Sequence, residues 1–173
     1  MVGISLASEA RIAARPVSLR ATSEHDNEAG DETMAVTGMD HVAIPAGDPE
    51  ALMGFYRSLG FAILHEAEWR AGDFPAFAIA CGDQKINVHD PKLWQNPDFD
   101  LRGPTAEPGC GDFCFVWDGT PETAAAAIEA AGCEVIEGPG SRIGGRGRGT
   151  AEGISVYTRD PDGNLVELIS YGD

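Results

Sequence analysis

Apolar and polar residues alternate along 39–44, so that Val42 and Ile44 share one side of a strand while His41 and Ala43 take the other. Asp48-Pro49-Glu50 comes next, with Asp48 suited to cap a helix and Pro49 to its first position. Leu52, Phe55, Tyr56 and Leu59 recur at helical spacing until Gly60 ends the run. The pattern predicts further strands over 61–69, 74–81 and 85–89, and a connector containing proline and glycine over 90–109. A second series follows: a strand over 112–117, a helix capped by Thr120 and opened by Pro121 that runs to Ala131, and a strand over 133–137. Strands over 154–159 and 164–170 flank the turn Asp160-Pro161-Asp162-Gly163. Between them, 141–153 reads as a glycine-rich insertion bearing Arg142, Arg146 and Arg148, expected to act as a mobile lid whose Arg142 meets the substrate.

The two series are one motif written twice. At an offset of 72 residues Asp40-His41-Val42-Ala43-Ile44 falls on Asp112-Phe113-Cys114-Phe115-Val116, Pro49-Glu50 on Pro121-Glu122, Gly60 on Gly132 and Ile63 on Val135. This predicts an α+β domain over 39–173, with module one at 39–89 and module two at 110–173. The open groove between the two sheets is the place for a ligand. Residues 1–38 carry no sustained period and are expected to be a dispensable disordered tail or the product of an early start, with Met34 or Met39 as the true beginning.

Composition removes several functional classes. With a net charge of −16, and Lys85 and Lys92 as the only lysines, no basic patch offers itself to nucleic acid or to an anionic membrane. No apolar stretch approaches the length of a membrane span, and a cytoplasmic protein acting on a small molecule is expected. The four cysteines form no CxxC pair and read as reduced small hydrophobes.

Strand parity brings candidate chemistry to the groove. If Val166 and Leu168 pack on a helix, Leu165, Glu167 and Ile169 face the other way, and a mid-strand carboxylate between apolar neighbours needs compensation. The same reasoning turns His41 inward on the first strand, and Asn87 and His89 inward on the strand that closes module one. His41, His89 and Glu167 thus form a two-histidine, one-carboxylate set suited to one divalent metal, Fe(II), Mn(II), Zn(II) or Ni(II). Phe113, Phe115 and Trp117, placed on the His41 side by the offset, are candidates for a wall against an apolar or aromatic substrate.

Met39-Asp40-His41-Val42-Ala43-Ile44, Phe55-Tyr56-Arg57-Ser58-Leu59-Gly60-Phe61, Lys85-Ile86-Asn87-Val88-His89 and Arg159-Asp160-Pro161-Asp162-Gly163-Asn164-Leu165-Val166-Glu167 together resemble the vicinal oxygen chelate (VOC) superfamily. That family unites glyoxalase I, extradiol dioxygenases, fosfomycin-resistance enzymes and bleomycin-binding proteins. Lys85–His89 with Gly109–Phe115 is most similar to the group called glyoxalase domain-containing protein 5. The resemblance implies paired βαβββ modules around a divalent metal whose ligands come from first and last strands. His41 and Glu167 match such positions. A two-residue shift decides whether His89 or Asn87 lies at ligand depth, and the stronger binding of imidazole favours His89. The resemblance also implies a homodimer. Tyr157, Asp160, Pro161, Gly163 and Glu167 match part of the dioxygenase signature, yet Arg148, Gly149 and Thr150 stand where its acid-base histidine is expected. The favoured expectation is a metal-dependent, dioxygenase-leaning enzyme. The alternatives are a glyoxalase-type lyase or isomerase, and a metal-free protein that sequesters a ligand.

Overall fold

A computed structural model describes residues 35–172, and 37–173 form one unit. The tail expected over 1–38 lies, up to residue 34, outside the described residues. Among the described residues, eight strands make two four-stranded mixed sheets, which is the α+β architecture expected of a duplicated unit. The first sheet holds β1 (His41–Pro45), β2 (Ile63–Leu64), β3 (Ala76–Cys81) and β4 (Gln84–His89) in the order β1-β4-β3-β2. The second holds β5 (Asp112–Val116), β6 (Glu137–Ile143), β7 (Glu152–Arg159) and β8 (Leu165–Ser170) in the order β5-β8-β7-β6. In each sheet the first strand runs parallel to the last and the remaining pairs are antiparallel.

One long helix covers each sheet. Helix α1 (Pro49–Ser58) starts as the sequence dictates: the Asp48 carboxylate accepts from Ala51 N–H at 3.0 Å and Pro49 sits where no amide is needed. Its Leu52, Met53 and Tyr56 are fully buried against Ile44, Phe77, Ile79 and Val88. Helix α4 (Pro121–Ala130) begins on Thr120 and buries Ala124 and Ile128 over Val156, Val166 and Leu168. Both helices feed one core, and Phe115 joins the modules by meeting Tyr56 and Phe61 edge-on. Each fully buried large side chain contributes about 1.5–3 kcal/mol.

The turn between β7 and β8 locks the modules together. Asp160, almost inaccessible, accepts from Tyr56 Oη at 3.1 Å, Asn164 Nδ2 at 2.7 Å, Asn164 N–H at 2.9 Å and Asp162 N–H at 3.0 Å. Asn164 Oδ1 accepts from Gly111 N–H at 2.7 Å, and the Asp162 carboxylate accepts from Gly47 and Asp48 N–H at 2.8 and 3.0 Å.

Three expected elements differ. The strand expected over 61–69 is only Ile63–Leu64; chain 66–71 forms helix α2 (Glu66–Ala71), because Glu66 pairs with Arg57 and Arg70 while Trp69 packs on Phe77 and donates to Asp90 at 2.9 Å. A short helix α3 (Pro91–Trp94), capped by Asp90, interrupts the connector. The strand expected at 133–137 starts only at Glu137 and takes in the first residues of the expected insertion. There a hairpin is closed by Gly144 N–H to Ala151 O at 2.9 Å, with the single turn α5 (Arg146–Gly149) at its tip. The backbone at Gly153 lies so close to Ile169 that a Cβ would meet Ile169 Cγ1 at 2.7 Å.

Candidate functional site

The site is built from strand register, which the two modules share. In module one Ala43 pairs with Asn87, and Asn87 with Ala78; in module two Cys114 pairs with Glu167, and Glu167 with Tyr157. Asn87 is therefore the counterpart of Glu167, and His41, opposite Lys85, is the counterpart of Asp112, opposite Leu165. His89 corresponds to Ile169, one repeat of the pleat further along. His41 and Pro45 bracket β1, and His89 pairs with Pro45, so His41 and His89 stand four residues apart, about 13 Å along the strands. Parallel side chains at that spacing do not converge. Among the described residues no group of three His, Cys, Asp or Glu is close enough to hold a metal. His41 and His89 lie on the first sheet and Glu167 on the second.

On the first sheet His41 Nδ1 lies 2.6 Å from Asp40 Oδ1. In the tautomer that this carboxylate selects, Nδ1 carries the proton and Nε2 is the nitrogen left for a metal, the usual way a carboxylate orients a ligating imidazole. The His41 side chain is 46% exposed. Beside it, His65, Phe74, Ala76, Lys85, Asn87 and His89 line a cavity of about 350 Å³. His89 is half-buried with its ring edge-on to Phe99 at 5.3 Å; burial, helped by the nearby Arg102 charge, holds its pKa below the ordinary histidine value. Another cavity, of about 320 Å³, is lined by Glu50, Trp69, Arg70 and Asp90. Those groups already bond to one another, Trp69 to Asp90 and Arg70 to Glu50, which leaves little for a ligand.

On the second sheet Glu167 sits at the centre of a polar row. Ser155 Oγ donates to it at 2.5 Å, and Tyr157 and Cys114, its partners on β7 and β5, flank it. Arg142 Nε donates to Tyr157 Oη at 3.1 Å, its guanidinium lies 5.4 Å from the centre of that ring, and it pairs with Glu137. Burial and then the Glu167 charge raise the Tyr157 pKa, and partial burial with Glu167 beside it pushes the Cys114 thiol up to about 12. Compensation for this mid-strand carboxylate comes from the Ser155 hydroxyl, with the Tyr157 hydroxyl and the Cys114 thiol beside it.

The aromatic wall requires correction. Phe115 is buried at 8% exposure between Tyr56 and Phe61, and Phe113 and Trp117 pack against the same core. The face beside Glu167 carries Asp112, Cys114 and Val116 instead. The cause is one residue: β1 and α1 are separated by 46–48 but β5 and α4 by 117–120, so the strands repeat at an offset of 71 and the helices at 72. A one-residue slip turns every side chain of a strand to its other face. Asp112, Cys114 and Ser155 were hidden by this slip or by their blandness. The alternation of Asp112, Cys114 and Val116 against two phenylalanines was the available signal.

With this geometry in hand, the family model for the Glyoxalase/Bleomycin resistance protein/Dioxygenase superfamily matches residues 38–168. The chain belongs to that superfamily. It is 33% identical over 140 residues to the glyoxalase domain-containing protein RDO1 of Mycosarcoma maydis, spanning 81% of this chain and 72% of that protein. The crystal structure of virulence protein STM3117 from Salmonella typhimurium superposes with a TM-score of 0.65 at 31% identity, covering 80% of this chain and 99% of that one. Lactoylglutathione lyase from Agrobacterium tumefaciens superposes at 0.56 with 25% identity, covering 79% and 95%. Superfamily members commonly bind a divalent metal; here the first and last strands of the two modules carry His41, Asn87, Asp112 and Glu167.

Proposed function

We propose that the chain is a divalent-metal-dependent VOC enzyme of the glyoxalase domain-containing protein 5 type, acting on a small substrate held through adjacent oxygens and leaning towards dioxygenase chemistry. The observation that carries this reading is the repeated register: His41, its Nδ1 held by Asp40, and Glu167 occupy the first and last strands of different modules, with Asp112 at the position equivalent to His41. Imidazole and carboxylates fit Fe(II) or Mn(II) well, and Zn(II) or Ni(II) acceptably. His41, Asp112 and Glu167 would hold the ion, and His89, set deeper along its strand, belongs to the substrate side. When bound, the ion would polarise adjacent substrate oxygens and, as iron, activate dioxygen. Ser155 and Tyr157 orient Glu167, and Arg142 orients Tyr157. His89, kept neutral, is placed to accept a proton at the mouth of the first-sheet cavity.

A homodimer completes this reading. Phe74 at the cavity rim and Val116 beside Cys114 are each 56% exposed, and a second copy that brings the first sheet of one chain over the second sheet of the other covers both and unites His41 with Glu167. A glyoxalase-type lyase or isomerase would draw on the same candidate ligands, with Asn87 as the register counterpart of Glu167 on β4. The metal-free sequestering reading has one observation in its favour: Glu167 already accepts from Ser155 Oγ without an ion. Elemental analysis after loading and dialysis separates these. One metal per chain is expected for the wild type and almost none for His41→Ala or Glu167→Gln. Mixing the two variants should restore part of the binding, because a mixed dimer keeps one intact site. Full metal retention in Glu167→Gln overturns the ligand assignment, and a metal-free wild type favours the binding protein.

A further inference from the structure

The only formal charge in the lining of the first-sheet cavity is a lysine, in a protein that is negative overall. The chain carries −16 overall, yet one of its two lysines, two of its histidines and an asparagine line this space, and no carboxylate does. Among the described residues Lys85 forms no ion pair within 4.0 Å; a nearby charge is that of Asp40, which is exposed and already bonded to His41. His65 has Glu68 at 3.9 Å, too long for a hydrogen bond. Behind His89, Arg102 spends its donors on the carbonyls of Trp94, Gly103, Pro104 and Ala106 and stacks on Trp94, so no carboxylate neutralises its charge. The floor is apolar, with Ala76 and Ala78 buried beneath the cavity and Phe74 exposed at its rim. A cavity of about 350 Å³ admits a molecule the size of a substituted benzene ring.

We propose that this cavity is a subsite for small organic carboxylates with a flat apolar body, in which Lys85 takes the carboxylate, Asn87 offers an amide donor to it, and Phe74 with the alanine floor takes the body. This rests on the reading that the first-sheet face is the substrate face. It names the substrate class for that face: an acid, neither a neutral diol nor a cationic drug. Lys85 is the direct partner of His41 on β1, so an acid seated on Lys85 presents its neighbouring carbon to the proposed metal ligand. At physiological salt the overall negative charge is screened over about 8 Å, which leaves recognition to the nearest groups.

Calorimetric titration of the full chain with benzoate, benzyl alcohol and benzylammonium, as purified and again in EDTA, tests this. Benzoate should bind in both conditions, benzyl alcohol at least about tenfold more weakly, and benzylammonium without measurable heat. Lys85→Met and Lys85→Gln should each lower benzoate affinity by about tenfold with the melting temperature unchanged, while Lys92→Met, outside the cavity, should not. Equal affinity for benzoate and benzyl alcohol, no binding of any probe, or unaltered benzoate binding in both well-folded Lys85 variants overturns the proposal. Because the EDTA arm contains no metal, benzoate binding that survives there beside a metal-free wild type would sink the metal reading alone.

Discussion

Asn164 offers a sharp test of how the turn between β7 and β8 is braced. It is fully buried, and its amide makes two bonds of 2.7 Å, donating to Asp160 Oδ2 and accepting from Gly111 N–H at the entrance of β5. Asn164→Ala strands the Gly111 amide and removes one of the donors to Asp160, whose remaining partners are Tyr56 Oη and the N–H groups of Asn164 and Asp162. At about 1–3 kcal/mol for the stranded, part-buried Gly111 amide and about 1.5–3 kcal/mol for the bond lost from the Asp160 carboxylate, the loss should be about 3–5 kcal/mol, a large part of a typical domain's stability of about 5–15 kcal/mol. Asn164→Asp separates packing from charge. It keeps an acceptor for Gly111 but sets a second carboxylate against Asp160, whose pKa burial already raises. Like charges raise the folded-state pKa of such a pair above its unfolded value, so the variant is most stable while the pair shares a proton and loses stability as pH rises through the folded pKa. Urea unfolding followed by tryptophan fluorescence at about pH 5 and about pH 8, both above the sequence pI of about 4.4, reads this directly. A loss under about 1 kcal/mol for Asn164→Ala, or equal instability of Asn164→Asp at both pH values, would show that Asn164 does not brace the β7–β8 turn as described.

Two further outcomes follow from close contacts. Gly153→Ala would place its Cβ at 2.7 Å from Ile169 Cγ1 and 2.9 Å from Ser170 O; the β6–β7 hairpin should shift, with a loss of about 1–3 kcal/mol by urea unfolding, and a neutral variant would mean that the hairpin does not rest on Ile169. Cys114, with its thiol pushed up to about 12, should react with iodoacetamide at pH 8 at least about tenfold more slowly than an unstructured cysteine, and faster once Glu167→Gln removes the neighbouring charge; mass spectrometry of alkylated peptides checks both rates.

Most of what positions the site was legible because it is local. The Asp48-Pro49 and Thr120-Pro121 helix starts, the burial of Val166 and Leu168, and the turn at 160–163 all follow from neighbours in the chain. Parity turned Glu167 away from Val166 and Leu168, and the pairing of β7 with β8 sets Tyr157 beside it. What failed was long-range register. A single extra residue between β5 and α4 misassigned Phe113, Phe115 and Trp117, and the depth of His89 relative to His41 is fixed only by the pairing of β1 with β4. Helix α2 was missed because its ion pairs to Arg57 and Glu50 are tertiary, while its apolar residues fit a strand equally well. Lys85 carried no signal in the sequence beyond its rarity; its meaning comes from the cavity around it.

Crystals grown with Mn(II) or Zn(II) and measured at the metal's absorption edge would locate the ion itself. One anomalous peak per chain is expected, about 2.0–2.2 Å from His41 Nε2 and from a Glu167 oxygen of the partner subunit, with Asp112 adjacent and His89 beyond bonding distance. A peak bonded to His89 but not to His41, or none at full metal loading, would contradict the proposed centre.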